Sequence, residues 1–122
     1  MAHILLVDDQ QHVRLLVKLV LEANQHTFSE ATDGLEALQL LDQTPTPVDL
    51  ILLDLLMPNL DGFEFLAILR RRSVRPPVIL LTAVWNPTPD LPDYPISGEL
   101  SKPFTRLKLL TTVQQTLSAE GG

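Results

Sequence analysis

His3-Ile4-Leu5-Leu6-Val7-Asp8-Asp9 is an apolar run of strand length that ends in two carboxylates. A continuous run of this kind is expected of a strand buried on both faces, since a strand with one wet face alternates apolar and polar residues. Directly after it, Gln10–Asn24 takes up a helical period: Val13, Leu16, Val17, Val20 and Leu21 share one face, and Arg14, Lys18 and Glu22 the other. The exchange then repeats along the chain. Thr27–Ala31 predicts a weaker strand. Asp33-Gly34 opens a helix to Gln43, with Leu35, Leu38 and Leu41 or Leu40 turned inward. Thr44-Pro45-Thr46-Pro47 stops that helix, because proline lacks the donor and clashes with the preceding turn. Leu50–Leu53 is the most apolar strand, and it too ends in a carboxylate, Asp54. A loop over Met57–Gly62 leads to a helix over Phe63–Arg72, halted before Pro76-Pro77. Val78–Leu81 reads as a fourth strand, the stretch near Gly98–Leu100 as a short fifth, and Arg106–Leu117 as a closing amphipathic helix.

Alternating strands and helices imply parallel strands with helices on both faces. Right-handed crossovers then favour a flavodoxin-like, doubly wound, five-stranded sheet in the order 2-1-3-4-5. The fourth helix is expected to be missing or reduced to a short turn, because Pro87, Pro89, Pro92 and Pro95 crowd its place. Leu91, Tyr94, Ile96 and Trp85 would be the apolar anchors of that segment. The 122 residues suit one domain, 1–122, large enough to bury a core without staples. There is no cysteine, so a disulfide scaffold and a thiolate metal site are excluded. The net charge of −6 argues against nucleic acid as main partner. The apolar runs fall far short of the ~20 residues of a membrane span, and no basic leader precedes the first strand. The expected location is cytoplasmic.

In doubly wound sheets, ligands bind beyond the carboxyl ends of the strands. There the sequence places Asp8-Asp9, Asp54, Thr82 and Lys102-Pro103. Each has a plain structural reading: Asp8 and Gln11 stand at capping-box spacing, Thr82 could merely end a strand, and Lys102 could be a surface charge. Together they ask for more. Strands one and three are neighbours in this order, so three carboxylates would converge, each raising the cost of ionising the others. A hard divalent cation such as Mg²⁺ relieves that repulsion and keeps waters for a phosphate to replace. Lys102 and the Thr82 hydroxyl suit a phosphoryl group beside it.

With Leu53-Asp54-Leu55-Leu56-Met57-Pro58-Asn59-Leu60-Asp61-Gly62, Thr82-Ala83 and Ser101-Lys102-Pro103-Phe104 added to Asp8-Asp9, the chain resembles a response-regulator receiver domain of two-component signalling, similar to the chemotaxis regulators. The resemblance implies that Asp54 is the phosphoacceptor. It implies that Asp8, Asp9, Asp54 and the backbone carbonyl of Leu56 hold Mg²⁺, and that Thr82, Lys102 and the Ala83 N–H contact the phosphoryl oxygens. It further implies a cis Lys102–Pro103 bond, a phosphohistidine donor on a sensor histidine kinase or histidine phosphotransfer protein, and a downstream output protein. On this reading the chain is a phosphoacceptor that assists only its own phosphorylation and dephosphorylation, not an enzyme acting on others.

Three departures stand beside it. Glu99 occupies the place of the usual aromatic or histidine switch residue; Leu56 and Val84 are apolar where polar residues often handle water; and the prolines crowd the fourth helix. With Leu56 and Val84 there, a slower loss of the phosphoryl group is expected. Glu99 and the prolines favour, as the first rival, a phosphorylation-independent interaction module. A Mg²⁺-dependent aspartyl phosphatase is the weaker rival, because Leu56 stands where its second acid would be. Arg70, Arg71, Arg72 and Arg75 read as complements of a helix dipole, and His3, His12 and His26 as structural. Leu15 and Leu19, on the outer side of the first helix, read either as scattered surface leucines or as an apolar docking patch for the kinase or for a second copy in a homodimer.

Overall fold

The structure, a computed structural model, describes residues 1–43, 46–73, 75–83 and 94–121. Strands β1 (His3–Val7), β2 (Thr27–Ala31), β3 (Leu50–Asp54), β4 (Val78–Thr82) and β5 (Ile96–Ser101) alternate with helices α1 (Gln11–Ala23), α2 (Gly34–Gln43), α3 (Gly62–Leu69) and α4 (Arg106–Gly121). All strand pairs are parallel, in the order β2-β1-β3-β4-β5. The continuous apolar runs are buried from end to end in β1, β3 and β4, the three inner strands.

Period-2 alternation divides their side chains between two cores. Ile4, Leu6, Leu50 and Leu52 pack with Val17 and Leu21 of α1 and Leu109 and Val113 of α4. Leu5, Val7, Ile51 and Leu53 pack on the other face with Ala37 of α2 and Phe65, Leu66 and Leu69 of α3. A buried leucine or isoleucine contributes about 1.5–3 kcal/mol. Both faces are therefore closed by apolar contact, and polar groups are left to the strand ends.

Several expectations need correction. Leu35 faces solvent, 53% exposed, because the small residues Gly34 and Ala37 take the inward positions of α2 and Leu38, Leu40 and Leu41 are half-buried around them. The third helix ends at Leu69 rather than Arg72: Arg71 N–H and Arg72 N–H bond to Ile68 and Leu69 carbonyls three residues back, a tightened final turn. Arg72 then pairs with Asp42 of α2 at 2.6 Å, and Arg75 donates to the Arg70 carbonyl; no basic residue lies in the last turn of α3 itself. The Asp8–Gln11 capping box does not form, because the N-cap of α1 is Gln10 and Asp8 Oδ1 accepts the Gln10 N–H instead. The reading of a missing or reduced fourth helix, with Val84, Trp85 and Leu91, lies outside the described residues. Tyr94 is buried, and its hydroxyl donates to the Pro76 carbonyl at 2.6 Å.

Candidate functional site

Leu6, Leu52 and Leu100 all face the core under α1 and α4. Continuing the alternation by two residues aims Asp8, Asp54 and Lys102 toward that same side. Asp8 is fully buried, Asp54 is 6% exposed, and Asp9 is exposed. One carboxylate oxygen from each lies within 4.8 Å of the others. Lys102 is the facing cation: its Nζ stands 2.7 Å from Asp8 Oδ2 and 3.4 Å from Asp54 Oδ2, and donates to Gln10 Oε1 at 2.8 Å. The contact with Asp8 Oδ2 is an ion pair that lacks hydrogen-bond geometry, so this buried oxygen accepts no hydrogen bond.

One ammonium facing three carboxylates leaves the site short of positive charge. Asp54 registers it. Burial first, and the Asp8 carboxylate second, raise its pKa to about 6; Lys102 and the Leu56 N–H, 3.3 Å from Asp54 Oδ1, pull the other way.

Thr82, Ala83 and Leu56 lie beside this cluster. Thr82 is buried at the end of β4, and its carbonyl accepts the Lys102 N–H at 2.7 Å, which ties the ends of β4 and β5 together. The Lys102–Pro103 bond is cis, as expected. Ala83 follows Thr82 and, with Gln10, Leu16, Lys102 and Phe104, borders a cavity of about 300 Å³. Leu56, in the loop after β3, is 59% exposed. Glu99 is exposed on β5, in register with Leu80. Among the histidines, His3 bonds to the Thr27 and Ser29 hydroxyls and His26 accepts the Ala2 N–H. His12 is exposed and borders the cavity.

Two residues at the site were not singled out by sequence reasoning. Gln10 holds Asp8 through its backbone N–H and Lys102 through its side chain. Arg14 donates to the Asp8 carbonyl at 2.9 Å while pairing with Glu30. For Gln10 a signal existed: helix N-caps favour Ser, Thr, Asp or Asn, and a glutamine there makes no cap bond. Arg14 gave no signal, since it stands on the polar stripe of α1.

Residues 4–114 match the family model described as the response regulator receiver domain. The chain belongs to that family. This receiver domain is 35% identical to the transcriptional regulatory protein CpxR of Escherichia coli over 96% of its own length and 50% of CpxR. It is 34% identical to the response regulator GtcR of Aneurinibacillus migulanus, over 93% of this chain and 47% of that protein. It also resembles the sensor kinase CckA of Brucella abortus, 31% identical over 98% of this chain and 13% of the kinase. The receiver domain thus spans half or less of these curated relatives. Among solved structures, the chemotaxis response regulator CheY4 of Vibrio cholerae superimposes with a TM-score of 0.85 at 32% identity, covering 95% of this chain and 98% of that one. The flavodoxin-like fold with strand order 2-1-3-4-5 is therefore that of a receiver domain, and the family places it in two-component signalling. Among the described residues, no helix is long and apolar enough to cross a membrane.

Proposed function

We propose that this receiver domain accepts a phosphoryl group on Asp54, in a Mg²⁺-dependent transfer from a phosphohistidine, and thereby switches its contacts with an output protein. The observation that carries the reading is the cluster of Asp8, Asp9 and Asp54 faced by Lys102 alone among the described cations. The donor set fits Mg²⁺. It consists of carboxylate oxygens within 4.8 Å of one another, one of them the buried Asp8 Oδ2 whose facing partner is the Lys102 ammonium, and such hard oxygen donors are what Mg²⁺ takes. Asp8, Asp9, Asp54 and the Leu56 carbonyl would hold the ion. When bound, Mg²⁺ supplies the charge that lets carboxylates and phosphoryl oxygens share one site.

The chain's own residues do the rest. Asp54, with a pKa of about 6, is ionised at neutral pH, and its oxygen attacks phosphorus as the bond to the donor imidazole nitrogen breaks. The electron pair of that bond stays on the imidazole. Lys102 neutralises charge on the moving phosphoryl group, and Thr82 and the Ala83 N–H receive its oxygens. Partners on this reading are a sensor histidine kinase or histidine phosphotransfer protein and a downstream output protein. The setting is cytoplasmic, and residues 1–122 act as one domain.

The test is intact mass after incubation with acetyl phosphate, with and without Mg²⁺. The wild type should gain one phosphoryl group only with Mg²⁺, and Asp54→Asn none. A phosphorylated Asp54→Asn would place the acceptor elsewhere. An inert wild type would favour the alternative reading, a phosphorylation-independent interaction module, which the exposed Glu99 on β5 supports.

A further inference from the structure

The backbone after Asp54 must be held still if the Leu56 carbonyl is to serve as a ligand. Burial holds it in part, through Leu55 and the half-buried Met57, whereas Leu56, Pro58 and Asn59 are exposed. Two pins complete the fastening of the loop. At its base, the Gly62 N–H donates to the Leu55 carbonyl at 2.9 Å. A Cβ at Gly62 would stand 2.5 Å from the Asp54 carbonyl oxygen, so only glycine allows this closure. At its tip, the loop is fastened to the first turn of α2. The Gly34 N–H donates to the Leu60 carbonyl at 2.8 Å, and Asn59 Nδ2 donates to Asp33 Oδ2 at 2.7 Å.

Asp33 and Asn59 are both committed to this arrangement. The other oxygen of Asp33 accepts the Glu36 N–H at 2.8 Å, so its carboxylate both starts α2 and holds the loop. Asn59 has φ 63°, in the left-handed region that asparagine tolerates better than most residues. A Cβ on Gly34 would come within 2.7 Å of the Leu60 oxygen, so the helix and the loop touch backbone to backbone.

The geometry points to the Asp33–Asn59 clasp, seated on Gly34, as a positioning device for the metal site: it sets the affinity for Mg²⁺ by holding the Leu56 carbonyl in place from the neighbouring helix. This rests on the proposed Mg²⁺ role of Leu56 and extends it to residues that touch neither metal nor phosphoryl group. Because coupling is reciprocal, Mg²⁺ should in turn tighten the loop onto α2.

Mg²⁺ binding to the full chain is measured by calorimetry for wild type, Asn59→Gly and the swapped pair Asp33→Asn/Asn59→Asp, at a temperature where all are folded by circular dichroism. Asn59→Gly keeps the net charge and a residue that tolerates this backbone conformation but removes the clasp, and should weaken Mg²⁺ binding by about 10-fold, the lower end of losses for outlying partners of metal ligands. The swapped pair keeps the net charge and the cap on α2, reverses the donor and acceptor, and should bind within about twofold of wild type. Asn59→Gly binding like wild type, or a swapped pair as weak as Asn59→Gly, overturns the clasp while leaving the Mg²⁺ site standing. A wild type that binds no Mg²⁺ overturns both. A merely structural clasp would lower the melting temperature without moving the Mg²⁺ affinity.

Discussion

At Asp54, burial and the neighbouring Asp8 carboxylate outweigh the help from Lys102, and the pKa rises to about 6. The sign of the consequence follows from linkage. The folded state holds a proton on Asp54 up to about pH 6, whereas the unfolded chain releases it near the ordinary value of 3.8. The associated stability is fully present below pH ~4 and is lost as pH rises through 6. At neutral pH the charged carboxylate is therefore a cost. Asp54→Asn should stabilise the metal-free protein at pH 7 by about 1–3 kcal/mol, and the gain should shrink to near zero by pH ~4. Urea melts of both proteins across pH 4–7.5 check this; a gain that is flat with pH would mean that Asp54 does not carry the strain. Leu56 belongs to the same scale. Its exposed side chain offers water no hydrogen bond, so Leu56→Asn should speed loss of the phosphoryl group.

Among the elements, the start of α3 carries more than its eight residues suggest. Asp61 and Glu64 form a full capping box, with bonds of 2.9 and 3.2 Å. Gly62 lets the backbone close on Leu55. The two contributions differ in kind and should differ in size. Asp61→Ala removes a cap and should cost about 1 kcal/mol. Gly62→Ala drives a methyl group against the Asp54 carbonyl and the Leu55 Cα, both backbone atoms that cannot swing aside, and should cost about 2–4 kcal/mol. Denaturant midpoints at constant slope separate them; equal losses would show that the loop relaxes around the added methyl group. The helices also show what a hydrophobic period can and cannot specify. It placed the buried stripe of α1 correctly, Val13, Val17, Val20 and Leu21. It misplaced Leu35, because a helix that packs through glycine and alanine seats its leucines around the contact rather than in it.

For the molecule as a whole, the exposed surface of α1 is the open question. Leu15 and Leu19 are 49% and 58% exposed, on the face away from the core. As a docking patch for the phosphodonor or a second copy, they predict that Leu15→Asp/Leu19→Asp slows transfer from a histidine donor or changes the sedimenting species, while phosphorylation by acetyl phosphate and stability stay nearly unchanged. Unaltered histidine transfer together with unaltered sedimentation would leave these leucines as ordinary surface residues.

Much of this molecule is written locally. A run such as Ile4–Val7 or Leu50–Leu53 can be satisfied only by burial on both faces, so the neighbouring residues alone specify a central parallel strand. The carboxylates that follow such runs must then meet at the sheet's carboxyl edge, which is why Asp8, Asp9 and Asp54 could be read as one cluster before any coordinates. What the chain could not announce is which side chains hold that cluster in place. Lys102 reaches Gln10 across 92 positions, and Asn59 reaches Asp33 across 26. Such contacts depend on how helices seat against the sheet, and that is set by the summed packing of both cores. Periodicity is a property of adjacent residues; the clasp and the lysine's partners exist only once the strands have been brought side by side.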